Sequence, residues 1–140
     1  MTKYGDWIRE NLTRRLAARD DELSKSIVAL YLLCMELTVS SPAVYLDRNS
    51  ADHLPQVVRC FRTHGFQEGL DWIASLEAAY GMPIHPDMDA RVDHIMGSSE
   101  AQRQLEAFND RNVTKLRTLL PAVWALLDVL VEQKLAESRY

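Results

Sequence analysis

The sequence predicts an all-α fold: a single-domain bundle of six or seven helices around two largely buried helices, at about residues 21–40 and 118–137. Three observations carry that expectation. Residues 27–39 read Ile-Val-Ala-Leu-Tyr-Leu-Leu-Cys-Met-Glu-Leu-Thr-Val. At 100° per residue their apolar side chains cover almost the whole circumference, with Ala29 and Glu36 as a narrow seam, and a helix apolar all round is a buried one. Elsewhere apolar residues recur at helical spacing, and no period-two alternation of any length appears. The 140 residues match one domain, 1–140, long enough to bury roughly two-thirds of its unfolded surface.

The elements follow in order. Trp7, Ile8, Leu12, Leu16 and Ala17 set a helical rhythm in the first segment. Arg9, Arg14, Arg15 and Arg19 surround it, but Glu10, Asp20, Asp21 and Glu22 neutralise the neighbourhood. Asp20 is expected to cap the central helix, with Asp21 and Glu22 favouring its first turn through the helix dipole. That helix should stop near Ser40, because Pro42 disfavours helical geometry at Ser41. Ser41 and Pro42 then open a short helix as N-cap and first residue. A turn at Arg48-Asn49-Ser50 leads to a fourth helix carrying Leu54, Val57, Val58 and Phe61, which Gly65 ends.

Residues 66–80 are amphipathic: Phe66, Leu70, Ile73, Leu76 and Tyr80 share one face, while Glu68, Asp71 and Ser75 fall opposite. Gly81 stops this helix, and Pro83 and Pro86 keep the next stretch extended. Pro86 opens a helix with Met88, Val92 and Ile95 as its core stripe and Asp89 and Asp93 as an acidic ridge. Ser99 and Gln102 form a capping box for the next helix, carrying Leu105, Phe108 and Val113. Thr118 caps the last helix, with Pro121 in its first turn. The run between Leu119 and Leu135 is again apolar nearly all round, so it would serve as a second core helix or feed a homodimer interface.

Composition narrows the function classes. The net charge of −4 is unevenly distributed: residues 66–100 carry seven acidic side chains and one basic one, Arg91. A nucleic-acid binder would show a basic stripe instead. No run of roughly 20 apolar residues is present to cross a membrane, and the charged first fifteen residues lack a signal peptide's apolar core. A cytoplasmic protein is expected, with Cys34 and Cys60 as reduced, buried thiols.

The residues that could carry chemistry are few. His85, Asp87, Asp89, Asp93 and His94 cluster in sequence, but His94 turns about 100° from the ridge of Asp89 and Asp93, and no metal site is expected. Glu36 could be a buried acid or base; His53 and His64 bracket the fourth helix, and neither stands beside a nucleophile. The glycines are scattered as helix stops and form no phosphate loop. No cofactor and no catalytic residues are assigned.

One set of motifs resembles a known family. Asn49-Ser50 followed by Asp52, then Leu54-Pro55-Gln56-Val57-Val58, Phe61-Arg62 and Gly65, resembles the helical domain of bacterial DNA-mimic proteins. The segment from Pro83 through Asp87 to Arg91 is similar to that family's Pro…Asp…Arg segment, and Leu105…Phe108-Asn109-Asp110 to its later helix. Where the family carries Asn-Gly-Gly-Phe, this chain has Ser40-Ser41-Pro42-Ala43. The resemblance implies a non-enzymatic protein that presents carboxylates where DNA phosphates would sit. It also implies, by looser analogy, an immunity protein beside a toxin.

The functional expectation is therefore a small, non-enzymatic protein-binding module. Glu68, Asp71, Asp87, Asp89 and Asp93 would form an acidic surface for a basic protein partner, a DNA-binding regulator or a toxin. The alternative is an enzyme or small-ligand-binding domain with a pocket at Glu36 and a histidine.

Overall fold

Local signals start and stop most of the helices, and one long helix gathers them. The computed structural model describes residues 3–137, apart from the side chains of Thr13 and Arg14, so the expectation for Arg14 lies outside the described residues. Helix α1 (Gly5–Asn11) runs into a π-helical turn, Leu12–Leu16. Then come α2 (Glu22–Val39), α3 (Pro42–Leu46), a 3-10 turn (Asn49–His53), α4 (Leu54–Thr63), α5 (Gln67–Tyr80), α6 (Met88–Met96) and α7 (Ser99–Glu137). No strand occurs among the described residues, so the all-α, seven-helix bundle stands as expected.

Helix α2 is the buried centre. Ile27, Ala29, Leu30 and Cys34 are fully buried, and α2 packs along both α7 and α4. Its cap is Asp21, not Asp20: the Asp21 carboxylate accepts from the Ser24 N–H at 3.0 Å. Lys134, near the end of α7, reaches the same carboxylate at 3.2 Å. Ser41 caps α3 as expected, accepting from the Val44 N–H at 3.3 Å, and Pro42 follows it. Asn109 on α7 adds a bond by accepting from the Ala43 N–H at 3.2 Å.

The expected break near residue 117 is absent. Helix α7 continues through Pro121 for 39 residues, about 58 Å at 1.5 Å per residue. Proline deletes the N–H that would bond the Arg117 carbonyl, but both residues are exposed, so water can satisfy that carbonyl. Thr118, expected as a cap, instead donates its hydroxyl back to the Lys115 carbonyl at 3.0 Å. The length has a use in packing: Phe108 meets Trp72 of α5 at 5.9 Å between ring centres, and Trp124 meets Tyr31 of α2 at 6.3 Å. Ser98, not Ser99, caps this helix, accepting from the Ala101 N–H at 3.1 Å.

Much of the apolar run between Leu119 and Leu135 is used inside the chain. Leu119, Val123, Leu127, Leu130 and Val131 are buried in the core, while Val129 stays exposed. At the α4–α5 corner, Gly69 allows close approach: a Cβ there would lie 2.6 Å from the Phe61 ring. No helix among the described residues is long and apolar enough to cross a membrane.

Candidate functional site

The acidic region is built on the short helix α6, and its own apolar residues do not explain why it docks. Met88, Val92 and Ile95, the expected core stripe, are only half-buried. The residue that α6 buries completely is Arg91.

The Arg91 guanidinium is a polar lock. Its Nε donates to the Leu46 carbonyl at 2.8 Å, where α3 ends. Nη1 donates to the His85 carbonyl at 3.0 Å. Nη2 donates to the Arg48 carbonyl at 2.9 Å and to the Asp52 carboxylate at 2.6 Å. A buried guanidinium is tolerable only when its charge is paired and its donors are satisfied. Here one side chain joins α6, the end of α3, the 3-10 turn and the linker before α6. Sequence reasoning missed this residue as a structural element. The signal existed: Arg91 lies on the same face as Met88 and Ile95, three residues from one and four from the other, and it is the lone cation of an acidic stretch.

A second set of bonds fixes the ends of α6. Gly81 (φ 98°) ends α5 in the left-handed region, where a side chain would be strained. The chain turns back, and the Ile84 N–H donates to the Glu77 carboxylate at 3.1 Å. The Tyr80 hydroxyl and His85 Nδ1 lie 2.7 Å apart, and burial pushes that hydroxyl's pKa up. His94 Nε2 contacts the Tyr80 carbonyl at 2.7 Å. Asp87 caps α6, accepting from the Ala90 N–H at 3.1 Å, so the helix starts at Met88, two residues later than Pro86 suggested.

This anchoring decides where the carboxylates point. Asp89 and Asp93 flank Arg91 by two residues each, about 200° around the helix axis. Locking Arg91 inward therefore turns both outward. Asp87, Asp89 and Asp93 are all exposed, and none forms an ion pair among the described residues. Glu68 and Asp71 are exposed too, and the Asp71 carboxylate accepts from the Gln67 side chain at 2.8 Å. They stand elsewhere, however. Helix α6 meets α5 at Tyr80, which lies nine residues beyond Asp71, or about 14 Å along the axis. The structure thus gathers Asp87, Asp89 and Asp93 on α6 and keeps Glu68 and Asp71 at the opposite end of α5.

Acids outside this region are engaged far more often. Asp6, Asp20, Asp21, Glu22, Asp52, Glu132 and Glu137 all take part in ion pairs. Among the described residues, within 66–100 only Glu100 does, with Arg103.

The other candidates have ordinary surroundings. Glu36 is half-buried on α2. It lies within electrostatic reach of Tyr45, whose buried hydroxyl has no hydrogen-bond partner. It does not line the cleft between α4 and α5 or the one beside the π-helical turn. His53 and His64 are exposed. Cys34 and Cys60 are free and buried, and burial pushes both thiols up, away from the nucleophilic thiolate. Among the described residues no three His, Cys, Asp or Glu side chains are grouped to hold a metal; His85 and His94 flank the Tyr80 ring instead.

Comparison with known proteins adds no family to this description: no protein-family model matches the chain, and neither a curated protein nor a solved structure is significantly similar to it.

Proposed function

We propose that the chain is a non-enzymatic, cytoplasmic protein-binding module whose α6 carboxylates engage a basic protein surface. The observation that carries this reading is the pair Asp89 and Asp93, exposed, free of ion pairs among the described residues and on the helix face opposite the locked Arg91, with Asp87 exposed at the N-cap of the same helix. Carboxylates four residues apart on a helix stand about 6 Å apart. A rigid helix presents them at a low entropic cost, which favours binding. An unpaired negative patch also speeds encounter with a basic partner and makes it sensitive to salt. The resemblance to DNA-mimic proteins supports a DNA-binding regulator as that partner. The immunity analogy would place a toxin in the same role.

The test is affinity capture with the intact chain as bait, quantified by mass spectrometry at low and high salt. Asp89→Lys with Asp93→Lys should abolish capture of basic proteins, and high salt should do the same to the unaltered chain. Glu68→Lys with Asp71→Lys should reduce capture much less. The reading fails if the α6 double variant, with an unchanged melting temperature, captures the same proteins.

A further inference from the structure

Between α4, α5 and the linker before α6 lies a cleft of about 360 Å3, within the size range of small-ligand sites. Its apolar lining includes Val58, Ile73 and Ile84, and its polar lining is Arg59, Arg62, Glu77 and His85. We propose that this cleft binds a small oxyanion carrying an apolar tail, a carboxylate or phosphate ester of medium chain length.

Charge is the first argument. Arg59 and Arg62 are three residues apart on α4 and so adjacent on its surface, where like charges repel. The chain holds 20 acidic side chains against 16 basic ones, yet the Arg62 side chain makes no hydrogen bond or ion pair among the described residues. Arg59 reaches only Glu22, at 3.8 Å, and that Glu22 oxygen already accepts from Gln56 at 2.7 Å. Two guanidiniums therefore stand at one cleft with donors to spare, and their planar forks suit carboxylate and phosphate oxygens.

The opposite wall is the second argument. Glu77, the only acid lining the cleft, is already engaged by the Ile84 N–H. His85 is held through Nδ1 by Tyr80, which leaves Nε2 as an unused polar atom. An anion meeting the arginines would thus face a carboxylate already engaged and the Nε2 edge of His85, while its tail would cover Val58, Ile73 and Ile84. The cleft beside the π-helical turn, about 230 Å3, is a weaker candidate, because one of its two cations, Lys25, is paired with Asp20 at 3.0 Å, which leaves a single guanidinium, Arg19, rather than two.

The test titrates the full chain with sodium octanoate, octyl phosphate, 1-octanol and acetate, reading amide and methyl shifts by NMR. Octanoate or octyl phosphate should move Val58, Ile73 and Ile84 saturably, and whichever binds more tightly names the headgroup. Acetate and 1-octanol should each bind at least about tenfold more weakly, because each lacks half of the recognition. Arg62→Gln should weaken the oxyanion roughly tenfold and leave 1-octanol unchanged, as expected for one lost charge-assisted bond. Arg62 is exposed, so the variant should keep the melting temperature. The proposal is overturned if neither oxyanion shifts these residues, if Arg62→Gln leaves their affinity intact, or if the shifts fall instead on Leu16, Val28 and Leu32 of the second cleft.

Discussion

Helices α2 and α6 sit in the same bundle and are held by different forces. Helix α2 buries apolar side chains on nearly every side, so the hydrophobic effect fixes it diffusely, over many contacts that can each be weakened separately. Helix α6 is half as long, 9 residues against 18, and is fixed chiefly by one guanidinium with four directed hydrogen bonds. The difference bears on function. A diffuse apolar anchor secures position, whereas a directed polar anchor also sets rotation about the helix axis. Rotation is what decides that Asp89 and Asp93 face solvent.

The largest effect should come from Arg91→Leu. It strands the Leu46, Arg48 and His85 carbonyls, while Asp52, 40% exposed, returns to water; at about 1–3 kcal/mol for each buried acceptor left unmade, the loss should be about 3–5 kcal/mol. Urea denaturation should register that loss. Hydrogen exchange should show α6 opening before the rest of the bundle. A loss below about 1 kcal/mol would mean that packing, not the lock, holds α6.

Leu30→Ala tests the other anchor. Leu30 is fully buried, and truncating it should cost about 3 kcal/mol through lost burial and a residual cavity. The comparison is sharpened by the pattern of that loss. Exchange in α6 should change only as much as global stability does, and partner capture by the folded fraction should be unaffected. Preferential opening of α6 in Leu30→Ala would erase the distinction between the two anchors.

The smallest effect concerns the exposed counterpart of the Arg91–Asp52 pair. Burial raises the Asp21 pKa, but the Ser24 N–H and Lys134 outweigh it and hold the carboxyl at about 2. An unfolded aspartate titrates near about 3.9. The folded value is the lower one, so Asp21 stabilises the fold above about pH 4, and that contribution disappears as pH falls towards 2. Its side chain is 41% exposed, so the contribution should stay under about 1 kcal/mol. Asp21→Asn should flatten the stability profile between pH 4 and 2 by that amount. An unchanged acid limb would show that other carboxylates govern it.

Much of this architecture is legible in the sequence, and the failures are instructive. The all-round apolar run of α2 could belong only to a buried helix. Gly65 and Gly81 end α4 and α5 where expected, each with a positive φ. Ser41 was legible as the cap because Pro42 fits the first helical position and pushes the residue before it out of helical geometry. Asp20 and Ser99 were expected as caps, but Asp21 and Ser98, each one residue away and of the same type, take those places, because backbone geometry and not residue type selects the cap. Pro121 read as a helix start because proline is tolerated there. Continuation was favoured instead by packing of α7 on α5 at one end and α2 at the other.

The candidate site divides in the same way. That residues 66–100 hold an excess of acid is a property of composition. Which acids share a surface depends on how α5 and α6 meet, and that separated Glu68 and Asp71 from Asp87, Asp89 and Asp93. The cleft beside Arg59 and Arg62 had no signature at all, since its walls come from three segments.

By itself the sequence determined most of the helices, α7's continuation through Pro121 excepted, because periodicity, prolines and glycines act over a few neighbouring residues. It also determined that α2 must be enclosed, because burial of so much apolar surface has no alternative in water. Only the tertiary structure decided that Arg91 would lie inside. A charge can leave solvent only where carbonyls from distant segments converge on its donors, and nothing local to residue 91 specifies that convergence.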